Sequence, residues 1–278
     1  MGTIIDLFRY DFFMNAFWAS FFAAITCGIV GTYIVARRIV FISGGITHAS
    51  FGGIGIGYFL GLNPLLGAAV FSVLSGLGIQ YFTRTARLRE DSSIAIWWSL
   101  GMAIGIIFIY LSPGYAPNLM SYLFGSILTV SSTEIWLMAA LSFILVAFFV
   151  LFYRAILYVA FNEEFAKTTG LPVNLINYIL ISLIAVTIVM NIRVVGIILI
   201  MSLLTLPQAT ANLFTHDFRM MMLYSVGFAF VGSFAGLLFS FYADIPSGAS
   251  IIFTLVLLFG FMKGIAYLFG RQKRNHAN

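Results

Sequence analysis

The chain has 278 residues, of which 62% are hydrophobic and only 8% charged, and its mean hydropathy is +1.06. A water-soluble domain covers itself with roughly 25% charged residues, so composition excludes one and makes lipid the solvent over most of this surface. The net charge of +5 is spread in short basic clusters between apolar runs, a pattern that sets membrane topology and argues against nucleic-acid binding. The single cysteine, Cys27, excludes an internal disulfide or a cysteine-rich metal cage.

In chain order, the apolar runs predict nine spans at about 13–36, 44–62, 64–84, 93–112, 133–154, 173–191, 194–214, 219–242 and 248–268. Each is close to the roughly 20 residues that a helix needs to cross a bilayer. Together they form one all-α transmembrane domain over residues 1–278, with little length left for a soluble one. The opening stretch MGTIIDLFRYDF lacks the basic region of a cleavable signal, so the first span is expected to be retained. One set of loops receives Arg37 and Arg38, then Arg84, Arg87 and Arg89, then Arg154 and Lys167, then Arg219, and finally Arg271, Lys273 and Arg274. The other set holds little beyond Arg9 and Arg193. The positive-inside rule therefore puts the N-terminus outside and the C-terminus in the cytoplasm.

Two loops carry local signals. The outer stretch 112–134 contains two prolines and an apolar piece at 121–128, too short to span and read as a re-entrant or surface helix. After it, Ser131, Ser132 or Thr133 offers an N-cap, with Glu134 in the first turn of the fifth span. The inner stretch AFNEEFAKTTGLP (160–172) reads as a self-contained helix. Asn162 is its N-cap, Glu163 and Glu164 lie where the helix dipole favours anions, and Phe165 and Ala166 follow. Lys167 comes late, Gly170 takes the left-handed terminating position, and Pro172 prevents continuation. A helix so short is marginal alone; it is either a structured connector or a docking element.

The second span, GGITHASFGGIGIGYFLGL (44–62), is rich in small residues. Gly45, Ala49, Gly53, Gly57 and Gly61 recur every four positions, a ridge that lets another backbone approach closely, and shorter pairs stand at Gly101–Gly105 and Gly232–Gly236. His48 lies beside that ridge. An ionisable residue inside a span is costly and generally faces a polar cavity, which makes His48 a candidate pathway ligand; the alternative is an interhelical hydrogen bond. Asp244, at the outer end of the eighth span, and Asn191, at the outer end of the sixth, are further candidates for a polar vestibule, with Ser247 able to cap the last span. Pro207 should kink the seventh span and free the carbonyl of Leu203. GGIGIG is not a dinucleotide fingerprint, because Tyr58 and Leu60 stand where the third glycine would be needed, and no P-loop motif occurs. No metalloprotease spacing or nucleophile–base pair supports an enzyme.

Five blocks together resemble the membrane permease subunits of bacterial ABC importers for zinc, manganese and iron. They are RRIVFISGGITHASFGGIGIGYFLG (37–61), LFGSIL (123–128), AFNEEFAKTTGLPVN (160–174), RVVGIILIMSLLTLPQATANLF (193–214) and DIPSGASIIF (244–253). That family usually has Ser before its histidine, where this chain has Thr47. The layout is also similar to the larger cobalamin and iron-siderophore permeases with their first span missing. The resemblance implies a type II importer fold in the bacterial inner membrane, working as a homodimer with its path along the dimer axis. An extracytoplasmic metal-binding protein would deliver Mn, Zn or Fe as cargo, with no tightly bound cofactor. Two copies of a separate ATPase would dock on the 163–169 helix, so the chain itself would not be an enzyme. His48 falls on the family's histidine, and Asp244 is placed near the outer gate. The competing expectation is a stand-alone secondary transporter or channel, which would need more intramembrane charge than His48 and Asp244 provide.

Overall fold

The structure, a computed structural model, describes residues 7–112, 125 and 127–275. Among these every regular element is helical: α1 (Asp11–Ala36), α2 (Phe41–Phe59), α3 (Pro64–Arg84), α4 (Glu90–Leu111), α5 (Ser132–Leu151), α6 (Tyr153–Phe161), α7 (Glu163–Thr168), α8 (Val173–Leu203), α9 (Leu206–Ala211), α10 (Phe218–Ala243) and α11 (Ser247–Asn275). A short 3-10 turn covers Ile127–Thr129. Of the piece expected at 121–128, residues 121–124 and 126 lie outside the described residues.

Seven of these helices are long and apolar enough to cross a membrane by length and composition: α1, α3, α4, α5, the Val173–Ile192 part of α8, α10 and the Ser247–Leu268 part of α11. Helix α2 is not among them. Fourteen of its nineteen residues are buried inside the protein, so α3, α4 and α8, which wrap it, replace the hydropathy that a lipid-facing helix would need.

The predicted boundaries hold to within a few residues except at two places. The fifth span ends at Leu151, because Tyr153 starts the separate helix α6. The sixth and seventh do not part in a loop. Helix continues from Val173 to Leu203 with one non-helical residue, Gly196, at φ 81° and ψ 164°, a region open essentially to glycine alone. Gly125, itself at φ 61°, lies directly against the Gly196 backbone. The expected continuous span at 194–214 is also broken at Leu204–Thr205, and Pro207 opens the short helix α9 rather than kinking a longer one.

Contacts define two ends of the bundle. At one, Asn15 of α1 donates to the Val130 carbonyl beside the start of α5, and Ser131 and Glu134 form a reciprocal capping box there. At the other, Arg37 after α1, Arg84 closing α3, Glu163 of α7 and Asn177 in the first turns of α8 meet in one cluster.

Candidate functional site

His48 sits midway along α2, half-buried, with its ring stacked on Trp98 of α4 at 4.3 Å between centroids and 6° between planes. Among the described residues neither imidazole nitrogen has a hydrogen-bond partner. The interhelical hydrogen bond required by a pure packing role is therefore missing, while the Trp98 face fixes the ring and leaves both nitrogens free in its plane. Met201 closes the neighbourhood: its Cε is 2.9 Å, and Trp98 Cζ3 3.6 Å, from where a side chain on Gly44 would begin. No group of three or more His, Cys, Asp or Glu that could hold a metal ion converges among the described residues.

The small-residue ridge of α2 serves two partners. Gly53 lies on the Gly67 backbone of α3, and Gly57 on Pro64 at 3.0 Å from a built Cβ. Gly45 abuts Ile94 of α4, and Ala49 meets Gly101, while Gly52 and Gly55 face the Gly101 and Gly105 carbonyls. Helical geometry explains the split: at 3.6 residues per turn, a row of every fourth residue drifts about 40° per step, enough to pass from one neighbour to the next. Gly61 is not part of the ridge. It follows the helix at φ 67°, with Gly61 N–H donating to the Tyr58 carbonyl and Leu62 N–H to that of Gly57, which is a glycine-terminated helix end.

The two outer candidates are not brought to His48. Asp244 ends α10 in the left-handed conformation (φ 54°, ψ 46°), exposed, on a helix that packs against α1, α9 and α11 rather than against α2. Helix α11 starts at Ser247 itself. Asn191 is wholly buried; its amide donates to Thr26 Oγ1 of α1 at 3.2 Å and to the Thr187 carbonyl at 2.8 Å. Nearby, the Leu203 carbonyl left over where the helix breaks accepts from Gln208 Nε2 at 3.2 Å, and the same amide reaches the Cys27 carbonyl at 2.9 Å. The Asn191, Gln208 and Thr187 side-chain oxygens remain without protein partners.

Helix α7 forms as its sequence dictates. Asn162 Oδ1 accepts from Phe165 N–H at 3.0 Å, Gly170 takes φ 78°, and Leu171 N–H closes the end on the Ala166 carbonyl. The helix has two faces. Glu164, Phe165 and Lys167 point outward, with Lys167 paired to Glu164 at 2.7 Å. Ala166 is fully buried, and Glu163 turns inward to the cluster at the ends of α1, α3 and α8. Arg84 grips both Glu163 oxygens at 2.8 and 2.9 Å, Arg37 approaches at 2.8 Å, and Asn177 donates at 3.0 Å. Arg37 also donates to Asn177, and Arg84 to Asn174. Half-burial would raise the Glu163 carboxyl, but Arg37, Arg84 and Asn177 outweigh it and hold it below the usual carboxylate range.

This two-faced capped helix, set beside a bundle with a lone intramembrane histidine, agrees with a match of residues 9–264 to the model of the ABC 3 transport family. The chain belongs to the ABC 3 transport family. It is a multi-pass membrane protein of that family. It is 32% identical to the manganese transport system membrane protein MntC of Halalkalibacterium halodurans, over 97% of this chain and 94% of that one. It is 40% identical to an uncharacterised membrane protein of Synechocystis, over 95% and 94%. The solved PsaBC of Streptococcus pneumoniae superposes with a TM-score of 0.82 at 30% identity, covering 93% of both chains. Within this ABC 3 protein three features escaped sequence reasoning. Trp98 carries no motif; Gln208 lies within the 193–214 block and could have been suspected as the first polar residue after Pro207. Arg37 and Arg84 read as topology signals, yet their guanidinium groups are spent on Glu163.

Proposed function

We propose that this chain is the transmembrane permease of an ATP-driven importer of divalent metal ions, with manganese the first cargo to test. The observation that carries this reading is its near-full-length similarity to a manganese transport membrane protein. The permease is a single domain of nine crossings, with its N-terminus outside and its C-terminus cytoplasmic, and works as a homodimer in the inner membrane. Helix α4 supports the pairing: it leaves most of its apolar surface uncovered and lies directly beside His48. A second copy placed there would bring a second imidazole to the path.

His48 is a transient way-station for the ion. Imidazole is a ligand that Mn²⁺, Zn²⁺ and Fe²⁺ all accept, and a sparse site suits a path that must release what it binds. Asp244 lines the outer entrance, where an extracytoplasmic metal-binding protein delivers the ion. Asn191 belongs to the buried polar break. Helix α7 couples to two copies of a cytoplasmic ATPase, with Glu164, Phe165 and Lys167 as its outward contacts. Asn162, Glu163, Ala166 and Gly170 hold the helix in shape and in place. The test is accumulation of Mn, Zn and Fe in cells lacking the chain, joined to uptake by the purified protein in vesicles. Uptake that proceeds without any ATPase would replace this reading with a stand-alone transporter.

A further inference from the structure

Helices α1, α5 and α10 do not close completely at the end of the bundle that holds the Glu163 cluster. Between them is an apolar crevice of about 610 Å³, lined by Ile25 and Ile29 of α1, Phe149 of α5, and Met222 and Val226 of α10. Arg219, in the first turn of α10, and Tyr153, just after α5, stand in the same lining. A second hollow of about 650 Å³ shares Val150 and Tyr153 with the first and is bounded by Arg154. Arg219 thus stands in the lining of the apolar slot and Arg154 in that of the neighbouring hollow, the two hollows meeting at Val150 and Tyr153. Both arginines are exposed, and neither is ion-paired among the described residues. Asp217 also lies within electrostatic reach of Tyr153, but its carboxylate is occupied in capping α10, accepting from Met220 N–H at 2.8 Å.

We propose that this crevice is a binding site for one anionic phospholipid, with an acyl chain along α1, α5 and α10 and its phosphate at Arg219, where Arg154 of the adjoining hollow adds a second positive charge. The charge argument is specific. Basic residues facing an interhelical crevice at the membrane surface recognise anionic headgroups, a guanidinium matches phosphate oxygens in a two-point geometry, and a tyrosine at that level is at home in the headgroup region. The slot is otherwise apolar and runs toward the middle of the bilayer, as an acyl chain does. A peptide segment seated there would bring backbone amides into hydrocarbon, where they need partners that these lining side chains do not offer. The site also has a mechanical neighbour. Tyr153 begins α6, which leads through Asn162 into α7, and Phe218 of α10 packs on Tyr153 and Phe161 at both ends of α6. Headgroup occupancy would brace α6 at its Tyr153 end. The site depends on the chain being a membrane protein, not on its cargo.

The experiment is native mass spectrometry of the purified full chain exchanged with phosphatidylglycerol or phosphatidylcholine of identical acyl chains. Each basic residue at an anionic lipid surface is worth about fivefold in affinity, so two, opposed by Asp217, predict a preference for phosphatidylglycerol of about fivefold or more. Arg154→Gln with Arg219→Gln should abolish that preference while leaving folding intact, since both side chains are exposed. Met222→Trp, which fills the slot, should lower retention of both lipids. Equal retention of the two lipids by the wild type, or a preference that survives the double substitution, overturns the proposal. A photo-crosslinker at Leu223, exposed on α10 beside the slot, should add the mass of a lipid; an adduct of two chains would show the crevice to be a protein interface and overturn it as well.

Discussion

Replacing Glu163 by Gln isolates what the inward face of α7 contributes. The carboxylate is only 25% exposed and is held by two bonds from Arg84, one from Asn177 and the Arg37 ion pair. Hydrogen bonds to charged groups are worth about 1.5–3 kcal/mol when shielded, and exposed pairs below about 1 kcal/mol. Glutamine keeps one acceptor oxygen, loses the charge and leaves Arg37 and Arg84 facing each other uncompensated. A loss of about 2 kcal/mol follows, or about 30-fold in the equilibrium between α7 anchored to the bundle and α7 adrift. The outward residues Glu164, Phe165 and Lys167 are untouched, so the ATPase should still co-purify. What should change is stoichiometry: in vesicles containing ATPase and delivering protein, more ATP should be hydrolysed per ion imported. Since the native Glu163 carboxyl titrates below its unfolded value near 4.5, its contribution is complete above that value and is lost as pH falls through the lower folded one. Wild type and Glu163→Gln should therefore differ equally at pH 6 and pH 8 and converge only below about 4.5. Wild-type coupling in Glu163→Gln, or loss of ATPase binding as complete as in Phe165→Asp, would refute the division of α7 into an anchoring and a docking face.

His48→Ala should lower metal uptake per folded complex with little change in basal ATP hydrolysis, and Asp or Cys at this position should restore more than Leu; Trp98→Leu should mimic it partially by releasing the ring, and normal per-complex uptake by His48→Ala would end the way-station reading. Gly53→Ala drives a methyl into the Gly67 backbone and should cost about 1–3 kcal/mol, seen as a lower melting temperature in detergent, whereas Gly227→Ala, with open space around it, should not. Cysteines placed at Thr168 and Ser247 should react with an impermeant reagent from opposite sides of the membrane; labelling of both from outside would overturn the proposed topology.

Much of the fold was written in patterns that need no tertiary knowledge. The α7 helix followed from Asn162, Gly170 and Pro172 because capping is decided within a few residues, and Ser131 with Glu134 likewise. Most of the failures were non-local, Gly61 being the local exception. Gly196 looks like any glycine in an apolar run, and only its φ of 81° and its contact with Gly125 reveal the break. Gly61 fitted the ridge by spacing, although helix termination depends on where the hydrogen bonds stop. At the site, an intramembrane histidine announced itself by cost, but its partner Trp98 lies 50 residues away and was one aromatic among many. Asp244 and Asn191 were grouped as candidates for one outer vestibule by their positions at span ends, a coordinate that sequence supplies; their lateral position, which leaves Asp244 exposed and Asn191 buried against α1, it does not supply.

The glycine contacts of α2 also bear on stiffness. Where backbone lies on backbone, at Gly53–Gly67 and at Gly101 and Gly105, α2 has little side-chain layer to shear against α3 and α4, and the three helices are built to move together as a plank. Arg84 fastens one corner of that plank to α7, and α3 alone gives it a length of about 30 Å. A tilt of about 6° at the fastened end swings the far end by about 3 Å, more than a divalent ion's contact distance to its oxygen ligands of about 2.0–2.6 Å. If α7 couples to a motor as proposed, this six-residue helix would need only a small stroke, because the plank supplies the gain.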